Sequence, residues 1–333
     1  MKLQCANAEA ERLIGLEHAW QAGQVLLTAL KAGLFDLLGE RPVSAKKLAR
    51  ELRLSDAALE RLLACLGAMG LVEKNGRSYA AAQAAREHLC TKSPTYLGDF
   101  FLHGETLREQ WSRLRQSLKT NCMAAPGRSR LKSYPRQLKR FLYAMDALGR
   151  IKSSAILSAF DAQRFTAMLD IGGGLGTYAA GFVRAHPQLR ATVVDLPDVA
   201  AQARAYVRRE GLQDRIQVVA AQCAQEALPA GPYDLVFISN LLHIYDAQDC
   251  GRIVRKAVRA LKSKGTLLVH DYLFGQGDEL GVALFDITML VGTPAGRCYE
   301  LDTLKRWMRA AGLKRIGSAD VLAGTSIAWG LKP

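Results

Sequence analysis

A glycine-rich run is the strongest chemical signal in the sequence. Residues 170–176 read Asp-Ile-Gly-Gly-Gly-Leu-Gly and follow a short apolar run at 167–169. Glycines at such a strand-to-helix turn let the backbone approach a ligand at the carboxyl edge of a sheet. A dinucleotide-binding turn of the type G-x-G-x-x-G requires glycine at position 177, which holds threonine. The turn therefore predicts a ligand site that does not cradle a pyrophosphate.

A carboxylate completes this pattern. Asp195 ends the next β-rich run, 19 residues after Gly176. A carboxylate at that place can accept hydrogen bonds from both hydroxyls of a ribose. The glycine-rich turn and Asp195 together fit a methionine moiety joined to a ribose.

Seven short β-rich runs predict the sheet that positions these residues. From Phe165 onward the runs alternate with helical segments, a pattern typical of a parallel sheet covered by helices on both faces. The ligand site is expected at the carboxyl edge of that sheet. The runs are 167–171, 191–195, 216–219, 234–239, 266–271, 315–320 and 326–330.

The N-terminal part of the sequence predicts helices followed by a hairpin. Apolar residues recur at helical spacing over 8–38, and shorter helices are predicted at 46–52, with Ser44 as N-cap, and at 57–69. Asn75-Gly76 between two short β-rich runs is a strong hairpin signal. This order of elements predicts a winged helix.

The predicted winged helix could serve DNA binding or contact between subunits. A DNA reader needs base-contacting side chains on the second helix, but residues 57–66 are mostly apolar, with Arg61 as their only basic residue. The sequence therefore favours a dimerisation or scaffold role. A nucleic-acid-binding regulator stays the remote alternative.

The composition indicates a globular protein and argues against membrane, secreted and metal-binding classes. The chain has 333 residues, 49% hydrophobic and 23% charged, a globular balance that at roughly 100–200 residues per domain suggests two domains. No run approaches about 18 uninterrupted apolar residues, and the N-terminus lacks an apolar signal core, so neither a membrane span nor secretion is expected. The seven cysteines include no C-x-x-C pair. We therefore expect a cytoplasmic protein with reduced thiols and no metal site.

Positive charge is concentrated in one part of the chain, which we call the basic segment. Residues 107–152 hold twelve Lys or Arg and two acidic residues, a net charge of +10 out of +14 for the whole chain. Such a patch attracts an anionic substrate, nucleic acid or an anionic surface, although a solvated helix face has the same composition. The candidate contacts to an anionic substrate are Arg136, Lys139, Arg140 and Arg150.

Further groups of residues occur together along nearly the whole chain. They are Gly33-Leu34-Phe35-Asp36-Leu37, Phe141 with Ala144-Met145, Leu169–Gly176, Val194-Asp195-Leu196-Pro197, Asn240-Leu241-Leu242-His243 and Ala310-Ala311-Gly312. In this combination they resemble the class I S-adenosylmethionine-dependent O-methyltransferases of the plant caffeate and animal acetylserotonin type. Bacterial relatives of that family act on aromatic metabolites.

The resemblance implies an α/β fold with a Rossmann-like, seven-stranded sheet that is mostly parallel and has an antiparallel last strand. It also implies three regions. A helical, winged-helix dimerisation domain occupies 1–95, a basic helical bridge over the active site occupies 96–160, and a cofactor-binding catalytic domain occupies 161–333. The enzyme is expected to be a homodimer that contacts itself through the first region.

The implied cofactor is S-adenosyl-L-methionine, with S-adenosyl-L-homocysteine as product. The sequence departs from the family pattern at Gln222, where an acid is common, and at Ser239-Asn240, which replace another cofactor-contacting pair. The implied cofactor-binding residues are Asp170, Gly172, Gly174, Gly176, Asp195, Leu196, Gln222, Cys223, Ser239 and Asn240.

The resemblance also implies the catalytic residues. His243 matches the family's general base, although Ile244 replaces the acid that usually follows it. A phenol has a pKa of about 10 and is a poor nucleophile at neutral pH until a base such as histidine removes its proton. Asp271, at the end of the fifth strand, matches one acid that flanks this histidine. Cys298 stands where the family has a second acid.

The leading predicted function is methylation of a hydroxyl on a small aromatic metabolite, which the basic segment suggests is anionic. The missing second acid leaves carbon methylation, or non-methylating chemistry on the same scaffold, as alternatives. The predicted substrate pocket contains Phe101, Trp111, Phe141, Met145, Phe285, Met289 and Tyr299.

Overall fold

The computed structural model describes residues 2–124 and 135–333, with side chains from residue 7 and again from residue 137. The chain divides into two compact units, Met1–Gly104 and Glu105–Pro333. The helices are α1 (Lys2–Lys31), α2 (Leu34–Glu40), α3 (Ala45–Leu52), α4 (Asp56–Ala68), α5 (Gln83–His88), α6 (Gly98–Trp111), α7 (Leu114–Thr120), α8 (Pro135–Ala159), α9 (Thr177–Ala185), α10 (Pro197–Arg209), α11 (Ala247–Ala260), α12 (Glu279–Gly292) and α13 (Leu301–Ala310). The strands are β1 (Val43–Ser44), β2 (Val72–Asn75), β3 (Ser78–Ala81), β4 (Ala167–Ile171), β5 (Arg190–Asp195), β6 (Ile216–Ala220), β7 (Tyr233–Ser239), β8 (Leu261–Asp271), β9 (Leu273–Phe274), β10 (Tyr299–Glu300), β11 (Lys314–Asp320) and β12 (Ser326–Leu331).

The first unit packs helices against a small antiparallel sheet. β2 and β3 form the predicted hairpin, and Gly76 at its turn has a positive φ of 61°. β1 pairs with the other side of β3. In α4 the apolar residues recur at helical spacing and face the core, whereas Arg61 is exposed. The buried residues of α4 are Leu59, Leu63 and Leu66.

The long helix α1 exposes a group of large apolar side chains. Exposed apolar residues in one group are typical of protein contact surfaces. Among the described residues, no single helix is long and apolar enough to cross a membrane, and only the bent pair of α1 from Asn7 and α2 meets that test together. The exposed large apolar residues of α1 are Leu13, Ile14, Leu16 and Trp20.

The second unit contains the predicted seven-stranded sheet. Its strand order is β11–β12–β8–β7–β4–β5–β6. The strands from β8 to β6 in this order are parallel, while the last strand of the chain, β12, is antiparallel to both neighbours. Two separate apolar clusters of buried residues pack on the sheet, as expected for a sheet covered on both faces.

The order of strands decides where a ligand can bind. The chain order reverses beside β4, which has β5 on one side and β7 on the other. In parallel α/β sheets such a reversal opens a crevice at the carboxyl ends of the strands. Four adjacent strands end there in the glycine-rich turn after β4, Asp195 on β5, His243 after β7 and Asp271 on β8. Residues far apart in sequence therefore meet at one edge of the sheet.

Candidate active site

Three glycines shape the turn between β4 and α9. Gly172, Gly174 and Gly176 have φ values of 70°, 59° and 87°, a region that residues with a side chain rarely adopt. A Cβ at Gly172 would lie 2.7 Å from the side chain of Leu241, so close packing also requires glycine there. Thr177 is the first residue of α9, so its helical conformation needs no glycine. The backbone conformation of the turn therefore explains why positions 172, 174 and 176 hold glycine and position 177 does not.

Asp170 is a buried carboxylate below this turn. Its side chain is fully buried, and neither oxygen makes a hydrogen bond of ordinary geometry among the described residues, although the Ala179 amide lies near enough to favour the charged form. A Cβ on Gly173 would lie 2.7 Å from this carboxyl group, so Asp170 points toward the turn. Burial, and then the charge of Asp195, raise the pKa of Asp170 to about 7. An anion left unpaired in this position fits a cationic group of a ligand.

Asp170→Asn is expected to stabilise the ligand-free protein at pH 8 and to change it little at pH 4. The folded-state pKa of about 7 lies above the ordinary 3.8, so the cost of ionising Asp170 is absent below about pH 3.8, grows as the pH rises from there, and is complete above about pH 7. The shift corresponds to up to about 4 kcal/mol. Urea unfolding at both pH values measures this effect, with the exposed Asp302→Asn as control. A stability gain that is equal at both pH values would contradict it.

The Asp195 side chain links the glycine-rich turn to the end of β5 by hydrogen bonds. Its Oδ2 accepts a hydrogen bond from the Gly174 amide at 2.8 Å, and its Oδ1 accepts one from the Leu196 amide at 2.7 Å. Burial raises the pKa of Asp195, although these two amides act in the opposite direction. A carboxylate has about four acceptor positions, so Asp195 can also accept hydrogen bonds from ligand hydroxyls.

The other predicted cofactor residues follow β6 and β7. Gln222 is half-buried, and Cys223 is buried with its Sγ 3.9 Å from Tyr245 Oη. Ser239 Oγ lies 2.8 Å from Nδ1 of His270, and Asn240 Nδ2 donates to Ser239 Oγ at 3.1 Å. These two polar residues therefore belong to one hydrogen-bonded group at the end of β7.

His243 and Asp271 form a buried pair. His243 lies in a 3-10 turn, Leu242–Ile244, and its Nδ1 is 2.5 Å from Asp271 Oδ1. Both side chains are at most 3% exposed. Burial opposes the ionisation of Asp271, but the charge and hydrogen bond of His243 outweigh it, so the pKa of Asp271 is lowered. Because an ionised carboxylate only accepts hydrogen bonds, Nδ1 of the neutral imidazole carries the proton and Nε2 is its acceptor nitrogen.

Two aromatic rings flank this histidine. Phe285 of α12 meets the imidazole edge-on, with ring centroids 4.8 Å apart and an angle of 85°. Tyr272 stacks on Phe285 at 3.8 Å and 17°. The sequence predicted Phe285 as a pocket residue but missed Tyr272. Tyr272 directly follows Asp271 at the end of β8, and that place in the sequence is the signal that could have revealed Tyr272 as a site residue.

The remaining predicted pocket residues lie in several elements. Phe101 belongs to the first unit and packs against the apolar core of that unit. Met145 of α8 is half-buried, and Met289 of α12 is buried. Tyr299 donates from Oη to the Tyr245 carbonyl at 2.8 Å, within the core beside the sheet. The two other predicted residues, both half-buried, are Trp111 and Phe141.

The loop before β10 contacts His243 through its backbone. Arg297 N–H donates to the His243 carbonyl at 2.9 Å, and a Cβ at Gly296 would lie 2.5 Å from that same oxygen. Cys298, at the position of the missing acid, is buried, and burial raises the pKa of its thiol. Its amide donates to Asp286 Oδ1 at 2.6 Å. The loop is thus held close to the histidine by the Arg297 amide and by Asp286, although position 298 itself carries no carboxylate.

The basic segment is only partly described. Residues 125–134 and the Arg136 side chain lie outside the described part of the chain. Arg150 pairs at 3.0 Å with a carboxylate on its own helix, and Lys139 Nζ lies 5.8 Å from the centre of a tyrosine ring. Arg140 is exposed. Among the described residues, no group of three or more His, Cys, Asp or Glu side chains could hold a metal ion.

Three known proteins are similar to the chain over most of its length. The 8-O-methyltransferase TcmO of tetracenomycin polyketide synthesis in Streptomyces glaucescens is 27% identical, over 96% of each protein. The 3-hydroxy-5-methyl-1-naphthoate 3-O-methyltransferase of Streptomyces sahachiroi is 28% identical, over 88% of this chain and 86% of that protein. The crystal structure of human N-acetylserotonin methyltransferase in complex with S-adenosylmethionine superposes with a TM-score of 0.87 at 24% identity, covering 97% of each chain.

Two family models match the chain. The model of the O-methyltransferase dimerisation domain matches residues 16–91. The model of the O-methyltransferase domain matches residues 116–314, which is more than half of the chain and includes every residue described at the edge of the sheet. The chain therefore belongs to the class I S-adenosylmethionine-dependent O-methyltransferase family.

Proposed function

We propose that this enzyme transfers the methyl group of S-adenosylmethionine to a hydroxyl of a small aromatic acceptor, with His243 as the general base. The observation that carries the proposal is the buried His243–Asp271 pair, 2.5 Å apart, beside the ring of Phe285. This pair lies at the same sheet edge as the glycine-rich turn. Methyl transfer to an aromatic hydroxyl requires a base that removes the hydroxyl proton, an aromatic surface that holds the acceptor, and a turn that binds the nucleoside of the cofactor.

The residues at the turn fit the cofactor. The unpaired carboxylate of Asp170 suits the ammonium group of the methionine moiety, and Asp195 suits the ribose hydroxyls. When bound, the cofactor supplies a methyl group on a positively charged sulfur, which loses its charge as the methyl leaves. The proposed cofactor-binding residues are Asp170, Gly172, Gly174, Gly176, Asp195, Leu196, Gln222, Cys223, Ser239 and Asn240.

His243 takes the proton of the acceptor hydroxyl. Its Nε2 accepts that proton, because Nδ1 already donates to Asp271. Asp271 then stabilises the imidazolium that forms and keeps the ring in one orientation. The Arg297 amide holds the backbone of the same residue through a hydrogen bond to the His243 carbonyl. Proton removal and the fixed alignment of two reactants supply most of the expected rate enhancement.

The acceptor class follows from the rings beside the base. Phe285 and Tyr272 offer an aromatic surface, which favours a flat aromatic acceptor. The Streptomyces sahachiroi relative is named for a hydroxylated naphthoate, an acceptor of that kind. The basic segment suggests, in addition, that the acceptor is anionic.

We further propose that the enzyme is a homodimer formed through its first unit, with the predicted winged helix as part of the contact region. The family model that matches residues 16–91 describes a dimerisation domain. The apolar side chains exposed on α1 suit a surface that is covered in a dimer.

A transfer assay tests the proposed function. S-adenosylmethionine labelled in its methyl group is incubated with the enzyme and with naphthols, hydroxynaphthoates and polyphenols. We expect the label on an acceptor oxygen, identified as a methyl ether by product fragmentation. Label on a carbon atom, or an altered but unlabelled product, would instead support the alternative chemistry that Cys298, in place of a second acid, leaves open.

A further inference from the structure

Lys152 is a buried cation whose role the proposed function does not explain. It lies in α8, within the basic segment, but its side chain is 0% exposed. Lysine is almost never fully buried unless its charge is paired. Burial lowers the pKa of Lys152 to about 7, while the charge of Asp271 acts in the opposite direction. Near neutral pH the amine is therefore divided between its charged and its neutral form, and a bound anion would favour the charged one.

The position of Lys152 connects it to the catalytic histidine. Its Nζ donates to Tyr272 Oη at 3.1 Å and lies 4.5 Å from the centre of the Tyr272 ring. Tyr272 stacks on Phe285, and Phe285 meets the His243 ring edge-on. The amine thus contacts the same aromatic surface that contacts the His243 ring.

The hydrogen-bonding capacity of Lys152 is not used up. An ammonium group has three donors, and among the described residues Lys152 forms one hydrogen bond, to Tyr272. The oxygens of Asp271 are bonded instead to His243 and to backbone amides. Burial, and then the charge of Lys152, lower the pKa of His270, whose buried Nε2 has no partner among the described residues. An unpaired buried cation costs stability, so this arrangement suits an anion that arrives with a ligand.

The hydroxyl of Tyr272 is a second hydrogen-bond donor beside the Lys152 amine. Burial, and then the charge of Asp271, raise the pKa of Tyr272 to about 12, so its hydroxyl keeps its proton at neutral pH. While Tyr272 Oη accepts a hydrogen bond from Lys152, its O–H is a donor of its own. An ammonium group and a hydroxyl donor side by side form a charge-assisted binding site for a carboxylate.

We propose that Lys152 and Tyr272 bind a carboxylate carried by the aromatic acceptor, and so select carboxylated over neutral acceptors. This inference rests on the proposed function, since it assigns the anion to the molecule whose hydroxyl approaches His243. The cofactor has a carboxylate too. We assign the site to the acceptor because Lys152 contacts the Tyr272–Phe285 surface, whereas the unpaired Asp170 suits the cationic part of the cofactor.

The test compares 1-hydroxy-2-naphthoate with 1-naphthol, which lacks only the carboxylate. Binding is titrated at pH 6.5 to enzyme saturated with S-adenosylhomocysteine, and kcat/KM is measured where turnover occurs. For Lys152→Met we expect hydroxynaphthoate affinity to fall about 10–100-fold, because a buried charge pair loses one partner. Naphthol affinity is expected to stay within about 3-fold. Tyr272→Phe, which keeps the ring, is expected to show a smaller loss in the same direction.

The controls separate this inference from the proposed function. Methionine has a volume close to that of lysine, and thermal unfolding checks that Lys152→Met folds. Lys314→Met removes an exposed charge elsewhere and is expected to leave both affinities unchanged. The inference would be overturned if Lys152→Met bound both ligands more weakly by the same factor, or if the wild type did not prefer hydroxynaphthoate over naphthol. It would also be overturned if Lys152→Met bound S-adenosylhomocysteine more weakly but kept the wild-type preference for hydroxynaphthoate. Because binding is measured without methyl transfer, failure of the proposed reaction would not obscure the result.

Discussion

His243→Gln is expected to lower kcat by about 10²–10⁴-fold, the range that a positioned general base contributes. Glutamine can keep the hydrogen bond to Asp271 but cannot take a proton from the acceptor. The imidazole is 3% exposed and packed against Phe285, so bulk water cannot easily replace it as the base. The affinity for S-adenosylhomocysteine is expected to stay within about 2-fold of the wild type, because the turn at Gly172–Gly176 is untouched.

The measurement pairs labelled methyl transfer under saturating acceptor with calorimetric titration of S-adenosylhomocysteine. His186→Gln serves as the matched control, because His186 lies at the far end of α9, away from the glycine-rich turn. We expect this control to retain the wild-type kcat. If His243→Gln turned over at the wild-type rate, His243 would not be the base, and an acceptor that binds as its anion would explain the reaction instead.

Asp271→Asn is expected to lower kcat on the order of 10²–10⁴-fold, as when a carboxylate that orients a catalytic histidine becomes an amide. An amide can still accept the His243 Nδ1–H bond, but it carries no charge to stabilise the imidazolium. The same carboxylate also accepts the Leu242 amide at 3.1 Å and the Tyr272 amide at 2.9 Å, so the position of the base is affected as well. Asp302→Asn, an exposed carboxylate on α13, is the control expected to keep full activity.

The pH dependence of stability gives an independent measure of Asp271. Its folded-state pKa is lowered below the ordinary 3.8 by His243, against the effect of burial. Stability from an acid with a lowered pKa is fully present above the unfolded pKa and is lost as the pH falls through the folded pKa. The difference in free energy of unfolding between the wild type and Asp271→Asn should therefore be constant at neutral pH and shrink below about pH 4. A constant difference down to pH 2 would contradict this assignment.

The two catalytic predictions are coupled. If Asp271 acts through His243, the double variant His243→Gln with Asp271→Asn should be little slower than His243→Gln alone, because residues that act as a unit are strongly non-additive. Multiplied losses would show that Asp271 has a separate role, such as holding the backbone of Leu242 in place.

Local sequence determined much of the fold and of the site. The seven β-rich runs became the seven strands, of which the five that alternate with helices lie in the parallel part of the sheet and the last two, β11 and β12, pair antiparallel. The glycine-rich turn, Asp195, His243 and Asp271 each lie at or directly after a strand end. Chain connectivity alone then brings them to one edge of the sheet. For that reason the short motif and the carboxylate that follow two predicted strands were enough to propose the turn and Asp195, whereas His243 and Asp271 were proposed from the family resemblance.

Only the tertiary structure decided which polar side chains are buried and what they face. In the sequence, Lys152 is one of many cations in the basic segment, and helical periodicity cannot tell a solvated lysine from one packed beneath a neighbouring strand. Its partner Tyr272 is 120 residues away. Likewise, Cys298 reads as a lost acid, yet the adjacent backbone amide of Arg297 still holds His243. Burial and long-range pairing depend on how elements pack in three dimensions, which residue spacing along the chain does not encode.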